Sequence, residues 1–331
     1  MVINMYKIDF SHPGKAHFIG IGGISMSGFA ELLHTMGFTI TGSDRTASKI
    51  TKHLETLGIE VIYEQAAKNI TPNIDFVVYT AAISEDNPEF VRAKELGLPM
   101  MERASMVGQV MKNYSTAIAV SGTHGKTSTT SITSHILMEA GLDPTISVGG
   151  ILPAIGGNIR VGKSDTFITE ACEYTNSFLK FFPTIGIILN IEAEHLDFFH
   201  DLADVRHSFR RFAELLPANG TLIINADIDN YKEITDGLAC RVLTYSVDDA
   251  SADFTAADIS YDELGCGEFT VVKSGVPGAH YKLTIVGKHN ISNTLASLAL
   301  ASLFEIPAET IQAGLAKYKG TERRFEYKGT F

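Results

Sequence analysis

The sequence predicts an α/β protein with two domains, each built on a mostly parallel sheet with crossover helices. The first observation is length, because the 331 residues exceed what one core usually holds and favour about two domains. The second is the alternation of short apolar runs with segments of helical period, which is typical of parallel sheets. The third is that two of the apolar runs lead into glycine-rich loops, at Gly20 and at Gly122.

The first domain is predicted to cover residues 1–105 and to be Rossmann-like. Its strands are predicted from short apolar β-type runs, and its helices from segments with apolar residues at helical spacing. In chain order they are a strand over 16–21, a helix over 26–36, a strand over 38–41, a helix over 48–57, strands over 59–62 and 76–79, and a helix over 88–96. This order predicts a small doubly wound domain.

The second domain is predicted to cover residues 106–320. Its predicted strands lie at 117–120, 167–169, 185–189 and 222–224, with helices over 127–140 and near 205–216. Residues 250–286 have a more antiparallel character, and two further helices are predicted at about 290–304 and 307–318. We therefore expect a mostly parallel sheet that ends in an antiparallel extension.

Composition excludes several classes of protein. The formal net charge of −11 argues against general nucleic-acid binding, which depends on clustered lysine and arginine. Three widely spaced cysteines fit neither a disulfide framework nor a zinc site, and this favours the cytoplasm. No signal peptide pattern begins the chain, and no apolar run approaches the roughly 18 residues that cross a bilayer. We expect neither export nor membrane insertion.

The first glycine-rich loop is Gly20-Ile-Gly-Gly-Ile-Ser-Met-Ser-Gly28. Glycines after a first strand let the backbone approach a pyrophosphate, which the amino terminus of the next helix attracts. About twenty residues later, Asp44 follows the second strand and could accept hydrogen bonds from ribose hydroxyls. Ser25 stands where a dinucleotide fingerprint has its third glycine, so a nicotinamide cofactor, a UDP-sugar and a structural turn all remain open.

The second loop, Gly122-Thr-His-Gly-Lys-Thr127, carries the stronger signal. Its backbone amides can wrap a polyphosphate, Lys126 can reach the β and γ phosphates, and the Thr127 hydroxyl can ligate Mg²⁺. Two residues separate the glycines, where the common P-loop has four. The strand before this loop and the helix after it still provide the geometry of a phosphate site.

Acidic residues and a histidine follow two of the predicted strands. Glu170 is the first candidate for a magnesium ligand and Glu173 the second, because carboxylates at this edge of the sheet suit a hard cation. A second group with the same placement is Glu192, Glu194, His195 and Asp197. Taken singly, each of these residues is also compatible with a solvated loop end.

Four motifs in order make the chain resemble the Mur ligases. They are the two glycine loops, Asn190-Ile-Glu-Ala-Glu-His-Leu-Asp197 and Gly287-Lys-His-Asn-Ile-Ser-Asn293. Within the family, the chain is most similar to the members that attach L-alanine to UDP-N-acetylmuramate. Some sister ligases have a lysine near their second metal, and no lysine occurs here between Lys180 and Lys232. The resemblance implies a first domain that binds the UDP-sugar and a P-loop-type ATPase central domain.

The resemblance also implies roles for individual residues. Lys126 would contact the transferring phosphate, Thr127 and Glu170 would bind Mg²⁺, and His195 would serve a second Mg²⁺. The implied ATP site consists of Gly122, Thr123, His124, Gly125, Lys126, Thr127, Ser128, His289 and Asn293. The implied UDP-sugar contacts are Gly22, Gly23, Ser25, Met26, Ser27, Asp44 and Thr80. An arginine near the phosphates is placed at Arg324.

The resemblance implies amide synthesis through an acyl phosphate, and it raises an expectation about the carboxyl terminus. The family has a third domain soon after the Arg323-Arg-Phe325 motif, whereas this chain stops at Phe331. Residues 321–331 are accordingly expected to begin a linker to that domain. We expect the 331-residue chain to bind UDP-N-acetylmuramate, to bind ATP at most weakly and to form little or no amide product.

Three rival hypotheses remain open at this point. One is a related ligase that attaches a recycled peptide to the same UDP-sugar. Another is a UDP-sugar-binding protein without catalysis. The third is a nicotinamide oxidoreductase, which would have to explain the loop containing Lys126.

Overall fold

A computed structural model describes residues 6–80 and 82–320. These residues form two compact units, one within residues 6–110 together with 158–161, the other of residues 111–157 together with 162–320. Among the described residues, no helix is long and apolar enough to cross a membrane.

The first unit contains a five-stranded sheet in the order β3-β2-β1-β4-β5, and every pair in it is parallel. Its strands are β1 (Lys15–Ile19), β2 (Thr39–Ser43), β3 (Glu60–Ile62), β4 (Phe76–Tyr79) and β5 (Met100–Glu102). Its helices are α1 (Ile24–Thr35), α2 (Lys49–Thr56), α3 (Pro88–Glu95) and α4 (Arg103–Met111). The predicted Rossmann-like order is confirmed, with β5 and α4 added.

Local sequence explains where helices of this unit begin. Ser48 and Thr51 form a capping box at the start of α2. Asn87 caps α3 by accepting from Glu89 N and Phe90 N, and Pro88 occupies the first helical position, where it has no hydrogen bond to lose. β1 and β4 are buried over most of their length, as expected for parallel strands covered by helices on both faces.

The second unit contains a larger mixed sheet with the order β15-β14-β13-β12-β11-β10-β6-β9-β7. The remaining strands of the chain are β6 (Thr116–Ser121), β7 (Thr145–Leu152), β8 (Gly157–Arg160), β9 (Thr166–Ala171), β10 (Ile185–Ile188), β11 (Thr221–Asn225), β12 (Arg241–Tyr245), β13 (Phe254–Tyr261), β14 (Cys266–Lys273) and β15 (Val276–Val286). Most of β8 belongs to the first unit. The sheet is parallel from β7 to β13 in this order and antiparallel over β13, β14 and β15, which confirms the predicted antiparallel extension.

Helices cover this sheet and enclose the larger core. They are α5 (Lys126–Glu139), α6 (Leu202–Ala213), α7 (Lys232–Thr235), α8 (Lys288–Leu303) and α9 (Ala308–Lys317). Buried side chains of α5 and α8 pack with those of the central strands in one apolar cluster. The hydroxyls of Thr133 and Ser297, 2.9 Å apart, join α5 to α8 inside that cluster.

The order β10-β6-β9 positions the candidate site. These neighbouring parallel strands bring the loop after β6, the acidic end of β9 and the segment after β10 to one edge of the sheet. Residues far apart in sequence therefore meet beside the start of α5.

Candidate functional site

The backbone of the phosphate loop depends on its two glycines. Gly122 has φ 143° and Gly125 has φ 83°, backbone angles that residues other than glycine rarely adopt. A Cβ at Gly122 would lie 2.9 Å from Leu189 Cβ, and one at Gly125 would lie 2.7 Å from Asn293 Oδ1. The shortened loop is thus held closely against the residues that follow β10 and against α8.

The start of α5 offers backbone donors beside this loop. The first hydrogen bond between turns of this helix runs from Thr129 N to Gly125 O, at 2.9 Å. The amides of residues 126–128 come before it and have no carbonyl acceptor within the helix. No side chain in the described part of the chain caps this helix. The donors and the helix dipole together favour an anion at this position.

Asn190 clamps the phosphate loop from the segment that follows β10. Its Oδ1 accepts from His124 N at 2.7 Å, and its Nδ2 donates to His124 O at 3.1 Å. Its backbone carbonyl accepts from Thr123 N at 3.2 Å, and Glu192 N donates to the Thr123 hydroxyl at 2.9 Å. Asn190 begins the motif after β10, but the sequence indicates no role for it, because its partners lie on another loop.

Lys126 is folded back onto its own loop. Its Nζ donates to Gly122 O at 2.5 Å, to Thr123 O at 3.2 Å and to Glu173 Oε2 at 2.9 Å. The Lys126 side chain is 16% exposed and that of Glu173 only 2%, so this ion pair is largely shielded from water. The Lys126 ammonium therefore lies beside the phosphate loop with its charge balanced by the Glu173 carboxylate.

Thr127 and Glu170 form a donor set that fits magnesium. The Thr127 hydroxyl donates to Glu170 Oε2 at 3.1 Å, and Gly149 N donates to Glu170 Oε1 at 2.5 Å. A Cβ at Gly149 would lie 2.8 Å from Oε2, so a glycine on β7 makes room for this carboxylate. A hydroxyl and a carboxylate are the hard oxygen ligands that Mg²⁺ prefers.

A second group beside Lys126 has metal-ligating atoms in reach of one another. One ligand atom each of Glu173, Glu194 and His195 lies within 4.8 Å of the others. His195 Nε2 is 3.7 Å from Glu173 Oε1, and this buried oxygen has no hydrogen-bond partner among the described residues. His195 itself has φ 56°, a conformation that costs energy in a residue other than glycine.

Tyr174 connects His195 to Asp197. The rings of Tyr174 and His195 have centroids 4.5 Å apart, and the Tyr174 hydroxyl donates to Asp197 Oδ2 at 2.8 Å. This hydrogen bond to a carboxylate raises the pKa of Tyr174. Asp197 thus bonds to a tyrosine of the same edge, a pairing that the sequence did not indicate.

The two residues on α8 differ in their surroundings. Asn293 is buried beside Gly125, and its Nδ2 donates to Asn290 Oδ1 at 3.2 Å. His289 is exposed in the first turn of the helix. The structure thus brings Asn293 to the phosphate loop. A role of either residue at an adenine ring stays a prediction.

The glycine loop of the first unit is also tightly held. Gly20 N and Ile21 N both donate to Ser43 O at 2.9 Å, and Gly22 N donates to Asp44 Oδ2 at 2.8 Å. Asp44 therefore binds the loop itself, in addition to the ribose contact predicted for it. The sequence does not predict this hydrogen bond between Gly22 N and the Asp44 carboxylate.

Three of the other predicted UDP-sugar contacts lie at the start of α1, and Thr80 follows β4. Ser25, Met26 and Ser27 lie in the first turn of α1, where Arg103 Nη1 donates to Ser25 Oγ at 2.9 Å. Met26 is buried, and the Thr80 hydroxyl accepts from Ala82 N at 3.3 Å. Arg103 was missed, because a single arginine after a short strand carries no motif. Arg324 lies outside the described residues.

Comparison with family profiles gives two matches that together span most of the chain. The Mur ligase family catalytic domain matches residues 15–115. The Mur ligase middle domain matches residues 120–301. These matches contain both glycine loops and the segment after β10.

Curated relatives are similar over nearly the whole chain. The UDP-N-acetylmuramate–L-alanine ligase of Agathobacter rectalis is 58% identical over 98% of this chain. The ligase of the same name from Lachnospira eligens is 54% identical over 99% of it. In both comparisons the chain spans 71% of the relative's length.

Solved structures share the fold. The UDP-N-acetylmuramate-alanine ligase of Thermotoga maritima has a TM-score of 0.82 at 28% identity, over 96% of this chain and 71% of that one. A UDP-N-acetylmuramate:L-alanyl-γ-D-glutamyl-meso-diaminopimelate ligase from Neisseria meningitides has a TM-score of 0.84 at 26% identity, over 94% of this chain and all of that one.

Proposed function

The chain belongs to the Mur ligase family, and from this premise we propose that it acts as an ATP-dependent amide ligase on UDP-N-acetylmuramate and L-alanine. The observation that carries the choice of substrates is the 58% identity to an L-alanine ligase over 98% of the chain. The product belongs to peptidoglycan precursor synthesis. Because ATP and UDP-sugars are found in the cytoplasm, we place the protein there.

The phosphate loop supports the ATP-dependent step. A carboxylate does not react with an amine in water, so the γ phosphate of ATP is first transferred to the lactyl carboxylate of UDP-N-acetylmuramate, which gives an acyl phosphate and releases ADP. Phosphoryl transfer depends chiefly on positioning and charge neutralisation. In this proposal the amides at the start of α5 orient the phosphates and Lys126 neutralises their charge.

Thr127 and Glu170 are proposed to hold Mg²⁺, and His195 to contribute to a second cation site. When bound, Mg²⁺ supplies neutralisation of the charge on the phosphate oxygens. Asn190 keeps the loop amides in place during transfer by its hydrogen bonds to His124. The amine of L-alanine then attacks the acyl phosphate carbonyl, and phosphate leaves.

The first unit is proposed to bind the UDP part of the substrate at residues 20–28. The amides at the start of α1, which precede the bond from Ser27 N to Gly23 O, suit a pyrophosphate. Asp44, just after β2, holds the loop through Gly22 N. The contacts that the resemblance implies, among them Gly22, Gly23, Ser25 and Thr80, remain proposals for this ligand.

The test follows the ligands and the product separately. Hydrogen exchange is measured with UDP-N-acetylmuramate and with a nonhydrolysable ATP analogue plus Mg²⁺. We expect the first to protect amides of residues 20–27, and the second those of residues 122–129. Because little amide product is expected, mass spectrometry is used to detect it in reactions of UDP-N-acetylmuramate, ATP and either L-alanine, glycine, L-serine or a tripeptide. We expect L-alanine to give more product than the other three.

A second candidate function is attachment of a peptide to UDP-N-acetylmuramate. The structural similarity to the Neisseria ligase favours it, because the TM-scores of that ligase and of the Thermotoga alanine ligase differ by only 0.02. Preferred formation of a tripeptide product would assign the chain to peptide attachment. Protection of residues 122–129 by NADH and not by the ATP analogue would contradict both ligase functions.

A further inference from the structure

The three donors of the Lys126 ammonium are all engaged. They point to Gly122 O, Thr123 O and Glu173 Oε2, and a lysine ammonium has three N–H groups. A phosphate oxygen can therefore bind Lys126 only by replacing one of these acceptors. The two carbonyls belong to the loop backbone, whereas the carboxylate is on a side chain that can rotate.

Of the three acceptors, Glu173 is the one that carries a negative charge. Its negative charge lies 2.9 Å from Nζ, so an arriving phosphate and this carboxylate repel each other while competing for the same ammonium. After such an exchange, Glu173 would be a carboxylate with a 2% exposed side chain and without its ion pair. A buried charge in that position is costly unless another cation compensates it.

The second oxygen of Glu173 indicates where that compensation comes from. Oε1 is buried without a hydrogen-bond partner among the described residues and lies 3.7 Å from His195 Nε2. Glu194 completes a set whose ligand atoms lie within 4.8 Å of one another. Two carboxylates and an imidazole form a donor set for a divalent cation.

We propose that Glu173 couples nucleotide binding to a divalent cation: Lys126 exchanges this carboxylate for a phosphate oxygen, and a cation held with Glu194 and His195 then compensates Glu173. Glu173 is in this sense a positioning residue for Lys126. The inference rests on the proposed function, since it takes ATP as the source of the phosphate. It predicts that magnesium strengthens nucleotide binding partly through Glu173.

The test measures the affinity for a nonhydrolysable ATP analogue by calorimetry, once with Mg²⁺ and once with EDTA. With EDTA, E173Q is expected to bind the analogue about tenfold more tightly than wild type, because the neutral amide neither repels phosphate nor holds Lys126 as an ion pair. The enhancement of affinity by Mg²⁺ is expected to fall by about tenfold in the same variant, because a cation ligand is lost.

Two further variants separate the halves of the coupling. E194Q removes an exposed carboxylate that has no bond to Lys126, so it is expected to reduce the enhancement by Mg²⁺ and leave the affinity in EDTA within about twofold. E192Q is the matched control, because Glu192 is exposed in the same segment and pairs only weakly with His124, at 3.4 Å. It is expected to change neither quantity by more than about twofold.

Several outcomes contradict the coupling. Suppose that wild type binds the analogue. If Mg²⁺ then strengthens binding by E173Q as much as by wild type, the coupling through Glu173 is wrong and the proposed ATP site stands. The same conclusion follows if E192Q loses as much of this Mg²⁺ effect as E173Q does. If wild type binds no analogue with Mg²⁺, both proposals are wrong. If circular dichroism shows that E173Q is unfolded, E173D is used in its place. Its shorter side chain moves the carboxylate away from Lys126, so an unchanged affinity for the analogue in EDTA would refute the exchange.

Discussion

Gly125 has both a backbone reason and a packing reason to be glycine. Its φ of 83° is left-handed, and a methyl group there would lie 2.7 Å from Asn293 Oδ1. The same helix ends beside Gly141, which has φ 70° but no atom within 4 Å of a built Cβ. Substitution of Gly141 would cause backbone strain alone, whereas substitution of Gly125 would add a clash with α8. Comparing the two therefore distinguishes these effects.

Replacing Gly125 by alanine is expected to lower the free energy of unfolding by about 1–3 kcal/mol and to weaken binding of the ATP analogue. Gly141→Ala is the control and is expected to cost about 1–2 kcal/mol from strain alone, with nucleotide affinity unchanged. Urea unfolding and calorimetric titration measure both quantities. An equal loss of affinity in the two variants would contradict the role of the close approach.

At the scale of elements, the site is a phosphate loop held between neighbours. The segment after β10 fixes the loop through Asn190, and Asn293 on α8 lies beside Gly125. The buried bond between Thr133 and Ser297 joins α5 to α8 below the loop. Loop geometry is thus decided by elements that follow it by more than sixty residues.

Asn190→Ala is expected to weaken binding of the ATP analogue by about tenfold, because two hydrogen bonds that order the loop are lost. Glu192→Ala provides the comparison in the same segment. It removes an exposed side chain and retains the backbone bond from Glu192 N to the Thr123 hydroxyl. Titration of both variants checks the prediction, which a normal affinity of Asn190→Ala would refute.

At the scale of the whole molecule, the second unit has a buried titratable group in the half of α5 that is remote from the phosphate loop. His135, near the carboxyl end of α5, is buried and contacts the Tyr318 ring with centroids 5.6 Å apart. Burial, assisted by the charge of Lys317, lowers the pKa of His135, while Glu139 acts in the opposite direction. The folded state therefore binds a proton here less readily than the unfolded state does.

This pKa shift makes stability depend on pH. Below the ordinary histidine pKa of 6.5 the unfolded chain takes up a proton that the folded chain resists, so stability falls as the pH decreases through that value. We expect wild type to lose more free energy of unfolding between pH 7.5 and pH 5.5 than His135→Gln does, with pH values chosen about one unit on each side. His207→Gln, at an exposed site, is the control and should retain the wild-type loss in urea unfolding. Equal pH dependence of wild type and His135→Gln would refute the argument.

The sequence by itself determined the parts of this protein that depend on local pattern. Apolar runs and helical periods predicted the α/β class, the two series of strands and the antiparallel extension. The glycines with lysine and threonine predicted a phosphate loop, and Glu170 was placed beside it because carboxyl ends of parallel strands share an edge. Strands β5, β7, β8 and β12 and helices α4 and α7 were missed. Most of these segments are short and carry little periodic signal, and two glycines interrupt the apolar pattern of the longer β7.

Only the tertiary structure decided which side chains meet. Lys126 pairs with Glu173 across 47 residues, and Asn190 holds a loop 66 residues away. Those contacts depend on the strand order β10-β6-β9, and the grouping of residues 158–161 with the first unit likewise depends on the folded path of the chain. The physical reason is that local sequence restricts backbone conformation, whereas the contacts of a charged side chain depend on which strands become neighbours.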